Sequence, residues 1–252
     1  MSNKPKKSDL PAGQVQEFRN LLASALEKED DQGRRWANAK WGVYAFFDYD
    51  GEPIYVGQTN EQLRTRIRRH LTNQRTDAVA MRVLDIFEVA EMRLWPLWDL
   101  EVKNASDKAA KTALDAAEYS AYLEAIKTSR FKAILNEKIP PKSTPITLPP
   151  SEKFALISNE TRMTLGHPDT RIARRSDTIS RLAAVVHERG AVSDGLRRVL
   201  VIQAVRLTYL TAFRLAQAEG KPEPDSSAIN IEKLIGSVLT EYEDQDDADA
   251  EV

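Results

Sequence analysis

Cysteine is absent from the 252-residue sequence. Its absence excludes disulfide bonds, thiolate zinc sites and cysteine nucleophiles, and it is compatible with a reducing cytoplasm, where we expect the protein to function. Any bound metal must therefore take oxygen or imidazole ligands. A long apolar run is also missing, since no stretch approaches the roughly 20 apolar residues of a membrane span. We expect neither export nor membrane insertion.

The overall charge of the chain hides an uneven distribution. The formal net charge is -2, but residues 241–252 hold seven acidic residues and no Lys or Arg. Residues 1–240 therefore carry a net charge of +5, from 36 basic and 31 acidic residues. A basic body is compatible with an anionic partner such as nucleic acid.

Hydrophobic spacing predicts two helices and three strands in the first 100 residues. Residues 14–29 place apolar side chains at helical spacing. Residues 41–57 form two runs rich in aromatic and β-branched residues around an Asp-Tyr-Asp-Gly-Glu turn, which is typical of a β-hairpin. Residues 60–73 predict a helix with Asn60 as its N-cap, and residues 92–98 predict a third strand.

The remaining sequence predicts helices on both sides of a proline-rich linker. Residues 107–130 form the longest helix candidate, and the linker covers 139–150. Beyond it, 176–219 predicts two helices broken near 190–195, and 231–242 predicts a third. The pattern indicates an α+β domain followed by an all-helical module.

Four polar side chains are brought together by the predicted hairpin and the helix after it. Tyr44 and Tyr55 lie on adjacent strands, while Arg66 and His70 share one helical face because they are four residues apart. Taken alone, the tyrosines can be packing residues whose hydroxyls reach water, and an arginine-rich helix can be a solvated surface.

The order of these residues resembles the GIY-YIG nuclease superfamily. Gly42-Val43-Tyr44 matches its first motif, and Tyr55-Val56-Gly57 matches the second after ten intervening residues. Arg66 and His70 match the helix signature of intron homing endonucleases and some restriction enzymes. The resemblance covers about residues 41–137.

The resemblance implies a fold and a metal site. The fold is a small three-stranded antiparallel sheet flanked by helices, and the activity is hydrolysis of a DNA phosphodiester through one Mg²⁺ or Mn²⁺ held by a glutamate. Asn136 matches the asparagine that ends the domain. Glu124 lies at the more familiar spacing from it, whereas Glu118 lies on an apolar, alanine-lined helix face, where a buried carboxylate requires compensation. We favour Glu118 as the metal ligand and keep Glu124 as the alternative.

These considerations divide the chain into five parts. They are a helical arm (1–36), the GIY-YIG nuclease domain (37–139), a proline-rich linker (140–160), a helical module (161–242) and a disordered acidic tail (243–252).

Each member of the site has an expected role. Tyr44 orients or deprotonates the attacking water, which a phenol does only if a cation lowers its pKa. Arg66 binds the scissile phosphate through paired hydrogen bonds. His70 bonds a phosphate or Tyr44, Tyr55 completes the water network, and Asn136 holds the local backbone.

Other arginines of the same helix are expected to contact DNA. Arg64, Arg68 and Arg69 are interpreted as backbone-phosphate contacts, which carry no sequence information. The sequence has one more residue between Gly57 and Arg66 than common members. If the loop does not absorb it, Arg64 replaces Arg66.

The helical module offers two further interpretations. Its arginines either grip DNA or form a solvated surface: they are Arg162, Arg171, Arg174, Arg175, Arg181, Arg189, Arg197 and Arg198. The apolar run 199–215 can bury against a second copy or a partner protein, and a homodimer would supply a second active site.

The sequence thus supports a restriction or defence endonuclease, with two alternatives. One is a repair or structure-specific nuclease, and the other is an inactive DNA-binding module. The complete catalytic set weighs against the inactive module.

Overall fold

A computed structural model describes residues 11–72 and 83–240. Within them the elements are α1 (Gly13–Leu26), β1 (Gly42–Phe47), β2 (Pro53–Thr59), α2 (Leu63–Leu71), β3 (Glu91–Pro96), α3 (Lys108–Thr128), β4 (Glu152–Ala155), α4 (Asn159–Leu165), α5 (Pro168–Arg189), α6 (Asp194–Ala218) and α7 (Ile231–Ile235). The predicted acidic tail, 243–252, and the first ten residues of the predicted arm lie outside this range.

The sheet is antiparallel, with strand order β2-β1-β3-β4. The hairpin and the third strand are confirmed: Tyr44 pairs with Gly57 of β2 and with Leu94 of β3. The predicted count of three strands is wrong, because β4 pairs antiparallel with β3. β4 is only four residues long and follows Pro150 in the predicted linker. A segment of four residues is too short to show the alternation of apolar and polar residues that predicts a strand. It becomes a strand because the open edge of β3 supplies hydrogen-bonding partners.

The helix after the hairpin docks through a narrow apolar stripe. Leu63, Ile67 and Leu71 of α2 are all buried, as spacings of four residues on one face require. The prediction of Asn60 as the N-cap is wrong. Gln62 takes that position without a side-chain hydrogen bond, and Asn60 instead donates to a backbone carbonyl in the loop before α3.

The C-terminal helices pack on the sheet domain as well as on one another. The break between α5 and α6 is confirmed, but α7 ends at Ile235 and is much shorter than the predicted helix 231–242. The expectation that no stretch approaches a membrane span is wrong for helix α6, which is long and apolar enough to cross a membrane by length and composition. Here buried residues of α5 and α6 belong to the hydrophobic core that also contains β1 and β2.

A buried ion cluster joins the two halves of the chain. Asp48, in the hairpin turn, is contacted by Arg171 Nη2 at 3.0 Å, Arg175 Nη2 at 2.9 Å and Arg206 Nη2 at 3.8 Å. Burial raises the pKa of Asp48, but the three guanidinium groups outweigh it and hold this pKa below its ordinary value. Arg175 also pairs with Glu88.

The cluster revises the interpretation of the basic helices. Arg171 and Arg175 are buried, and Arg174 pairs with Glu88 and Asp85. These three arginines therefore neither form a solvated surface nor grip DNA. They neutralise carboxylates of the sheet domain and attach α5 to it.

Candidate active site

The β1–β2 hairpin places two tyrosines on one face of the sheet. Tyr44 lies opposite Gly57 and is completely buried, and its ring centroid is 6.2 Å from that of Tyr55. A Cβ atom at Gly57 would lie 2.6 Å from the Tyr44 hydroxyl oxygen. Glycine is therefore required beside this hydroxyl. Gly57 of the second motif leaves the space that Tyr44 of the first motif occupies.

Helix α2 supplies the two basic members of the site. Tyr44 Oη and His70 Nε2 are joined by a hydrogen bond of 2.8 Å. The His70 ring centroid lies 5.6 Å from that of Tyr55. Arg66 is one turn before His70 and lies close enough to Tyr44 to lower the pKa of its hydroxyl. Its buried Nε has no hydrogen-bond partner in residues 11–72 and 83–240.

The electrostatics of Tyr44 keep its hydroxyl protonated. Burial raises the pKa of Tyr44 well above its ordinary value of 10, and the neighbouring Tyr55 raises it further, whereas Arg66 opposes both. Arg66 therefore favours transient charge on the Tyr44 oxygen.

Helix α3 brings Glu118 to the same place. A cleft of about 680 Å³ is lined by residues that include Tyr55, Gly57, Arg66, His70 and Glu118. Tyr44 is not itself among the lining residues, but its hydroxyl lies beside Gly57 and is hydrogen-bonded to His70, and both of these residues line the cleft.

The carboxyl group of Glu118 is suited to a cation. Burial raises the pKa of Glu118 to about 7, with a further contribution from Asp115, and Arg66 only partly opposes them. A cation at this carboxylate would offset the desolvation of its charged form. No group of three or more His, Asp or Glu side chains arranged for a metal occurs in the described parts of the chain. One carboxylate nevertheless fits Mg²⁺, which keeps several of its water ligands.

The alternative glutamate lies elsewhere. Glu124 Oε1 is 2.9 Å from Arg93 Nη1 in an ion pair, and Glu124 does not line the cleft. Glu118 and Glu124 are on different faces of α3, and only Glu118 lines the cleft together with Arg66. The metal assignment remains a prediction.

Asn136 fastens the chain beyond α3 to the outer edge of the sheet. Its Oδ1 accepts from Val56 N at 3.0 Å, and its Nδ2 donates to Val56 O at 2.8 Å. Leu135 N also donates to Ile54 O at 2.8 Å. Because Val56 lies between Tyr55 and Gly57, this pairing positions both of them. Asn136 acts on the site through the backbone.

The other arginines of α2 lie outside the cleft. Arg64 pairs with Glu27 at 3.0 Å and donates to Leu26 O at 2.9 Å, and Arg69 pairs with Glu61 at 2.7 Å. Arg68 is exposed. Arg66 rather than Arg64 lines the cleft, which favours Arg66 as the phosphate-binding arginine, and this assignment stays a prediction. Contact of these three arginines with DNA remains a prediction.

Two cleft residues escaped the sequence reasoning. Gln58 donates from Nε2 to Asp115 Oδ1 at 2.8 Å, and Lys138 lies two residues beyond Asn136. Their only signals in the sequence are proximity to Gly57 and to Asn136. Neither residue type is distinctive, so the tertiary structure was needed to find them.

Comparison with known proteins assigns the region around the hairpin to a family. Residues 40–96 match the GIY-YIG catalytic domain. The match contains Tyr44, Tyr55, Arg66 and His70 and ends before α3. No curated protein and no solved structure matches the chain.

Proposed function

Since the chain contains a GIY-YIG catalytic domain, of the nuclease superfamily, we propose that it is a metal-dependent DNA endonuclease that hydrolyses phosphodiester bonds. The convergence of the Tyr44–His70 pair, Tyr55, Arg66 and Glu118 at one cleft carries the proposal. The group combines a cation for phosphate, a proton path and a carboxylate for a metal.

Arg66 is the phosphate-binding group. Arg66 lines the cleft, and its planar guanidinium can offer paired hydrogen bonds to two phosphate oxygens. These bonds become stronger as negative charge develops on the pentacovalent phosphorus. The buried α2 stripe fixes the direction from which the arginine approaches.

Tyr44 and His70 form the proton path. The oxygen of the attacking water forms the new P–O bond, and its proton passes to the Tyr44 oxygen as the Tyr44 proton passes to His70 Nε2. Tyr44 thus needs no stable phenolate, which its raised pKa forbids. Arg66 stabilises the charge that develops on the phenol during this transfer.

Glu118 is the residue that holds the divalent metal. When bound, Mg²⁺ or Mn²⁺ supplies positive charge to the leaving 3′ oxygen as its bond to phosphorus breaks. Glu118 would hold the metal, and its own position is on α3, which forms one side of the cleft. Tyr55 contributes its hydroxyl to the hydrogen bonds around the reacting phosphate.

The first experiment measures cutting of supercoiled plasmid by the full-length protein in Mg²⁺ and in EDTA. Arg66→Ala and Glu118→Gln are expected to lower the cleavage rate by at least about 10²- to 10³-fold, as loss of transition-state charge stabilisation does. The matched control is Glu124→Gln on α3, which should cut like wild type. Arg68→Ala on the same helix removes only a predicted backbone-phosphate contact, so it should lower the cleavage rate by at most about 10-fold. Equal cutting by all five proteins would overturn the mechanism.

A second comparison tests the proton path. Tyr44→Phe keeps the ring but removes the hydroxyl, so we expect slow cleavage with little change in DNA affinity. A fully active Tyr44→Phe protein would remove Tyr44 from the reaction.

We further propose intact duplex DNA as the substrate, as in restriction or defence. The support is the Arg66 and His70 signature, which resembles that of homing and restriction enzymes. Intact plasmid should be cut faster than a branched duplex of equal concentration. The opposite preference would favour a repair or structure-specific nuclease.

A further inference from the structure

One wall of the cleft is formed by the segment 137–141, directly after Asn136. Ile139 and Pro140 in this wall are buried, whereas Lys138 between Glu137 and Ile139 is exposed. The backbone of the wall is therefore packed in place while the lysine side chain faces solvent along the cleft.

Two different elements hold the wall at Lys138. On one side, the paired hydrogen bonds of Asn136 tie the chain to Val56 of β2. On the other, Arg198 Nη2 of α6 donates to Glu137 O at 2.7 Å, and Ser193 Oγ donates to Glu137 Oε1 at 2.8 Å.

Close packing also joins the start of α6 to the wall. A Cβ atom at Gly195 would lie 2.0 Å from Glu137 O. The helix can approach this carbonyl only because residue 195 has no side chain. The helical half of the chain therefore supports the active-site wall directly.

The charge of Lys138 is not neutralised by a neighbour. No carboxylate in the described parts of the chain forms an ion pair with it, and Glu137 directs a carboxylate oxygen to Ser193. Arg64 and Arg69, by contrast, are paired with glutamates. Lys138 thus adds positive charge to the cleft that already contains Arg66.

We propose that Lys138 binds a backbone phosphate of the DNA strand next to the scissile phosphate, and that α6 positions it through Glu137. The inference rests on the proposed function. An ammonium group on a flexible stem binds phosphate as a point charge, so it contributes affinity and salt dependence without sequence selectivity.

The test measures the binding of a fluorescent DNA duplex of about 30 base pairs to the full-length protein, in EDTA and at several salt concentrations. Loss of one phosphate contact should reduce the slope of log K against log salt by about 0.9 and weaken binding about 5- to 10-fold near 0.1 M salt. We expect both changes in Lys138→Ala. Lys142→Ala is the matched control, because Lys142 is exposed directly after this segment but does not line the cleft.

The outcomes separate the two proposals. If wild type neither binds nor cuts DNA, the proposed function fails and the role of Lys138 fails with it. If wild type binds and cuts but Lys138→Ala retains the wild-type slope, only the lysine assignment is wrong. Lys138→Arg preserves the charge and should keep the slope, which distinguishes lost charge from a disturbed wall.

The support by α6 is tested with a double variant. Arg198→Ala should weaken binding, but it should add little to Lys138→Ala if it acts only by positioning the lysine. Arg197→Ala is the control, since Arg197 donates to Gly190 O directly after α5 and not to the cleft wall. Additive losses would show that Arg198 acts independently of Lys138.

Discussion

Replacement of Glu118 by glutamine should stabilise the metal-free protein at pH 8 while it abolishes cleavage. The carboxylate is held in the cleft against desolvation and the charge of Asp115, which together raise its pKa from 4.5 to about 7. Glutamine has nearly the same shape but no charge to desolvate. The substitution therefore removes a buried negative charge that destabilises the folded state.

The size and sign of the effect follow from proton linkage. A carboxyl whose pKa is higher in the folded state costs nothing below its unfolded pKa, and its full cost appears above its folded pKa. The rise in pKa from 4.5 to about 7 corresponds to at most about 3 kcal/mol, and solvent at the open cleft reduces this to about 1–3 kcal/mol. The stability gain should be near zero at pH 4.5 and complete above pH 7.

Urea unfolding in EDTA at several pH values measures this gain. Glu124→Gln is the control, because its exposed ion pair with Arg93 should change the free energy of unfolding by less than about 1 kcal/mol. Added Mg²⁺ at pH 8 should stabilise wild type but not Glu118→Gln, since only a ligand that binds the folded state shifts unfolding. A glutamine variant that is less stable at pH 8, or equally affected at all pH values, would refute the reasoning.

Three further substitutions test how the site is supported. Asp48→Asn should lower the free energy of unfolding by about 3–5 kcal/mol, because it leaves buried arginines uncompensated. The control Asp50→Asn changes an exposed carboxylate and should lower this free energy by less than about 1 kcal/mol. Equal losses of the two variants in urea unfolding would contradict this. Asn136→Ala should cost about 1–3 kcal/mol by unpairing two backbone groups of β2, and plasmid cleavage should slow with it; full activity would exclude the positioning role. Gly195→Ala should lower the free energy of unfolding by about 1–3 kcal/mol, because the added methyl group overlaps the cleft wall. Gly13→Ala is the control, since a Cβ atom there lies in open space. Identical melting curves for the two variants would contradict the close approach of α6 to Glu137.

Local sequence pattern determined the part of the candidate site that the hairpin and α2 supply. Tyr44 and Tyr55 come together because a short turn forces two strands to pair, and Arg66 and His70 come together because helical residues four apart share a face. Both relations act over fewer than 30 residues. The family match covers this same region.

The carboxylate could be placed only by the tertiary structure. Glu118 and Glu124 belong to one helix, and the apolar face predicted which side of α3 is buried but not what it meets. The docking of α3 on β2 turns Glu118 toward Arg66 and leaves Glu124 beside Arg93. Helix periodicity describes orientation about one axis, whereas a site requires the positions of several elements.

The C-terminal helices show most clearly that sequence pattern does not reveal contacts between distant elements. Their arginine-rich sequence predicted either a DNA-binding or a solvated surface, but Arg171 and Arg175 are buried against Asp48, more than 120 positions earlier in the chain. The sequence by itself determined the hairpin, the helices and the catalytic motif, because these depend on near neighbours. The fourth strand, the ion cluster and the wall that carries Lys138 were decided by the tertiary structure, because their partners are distant in sequence and no local period records them.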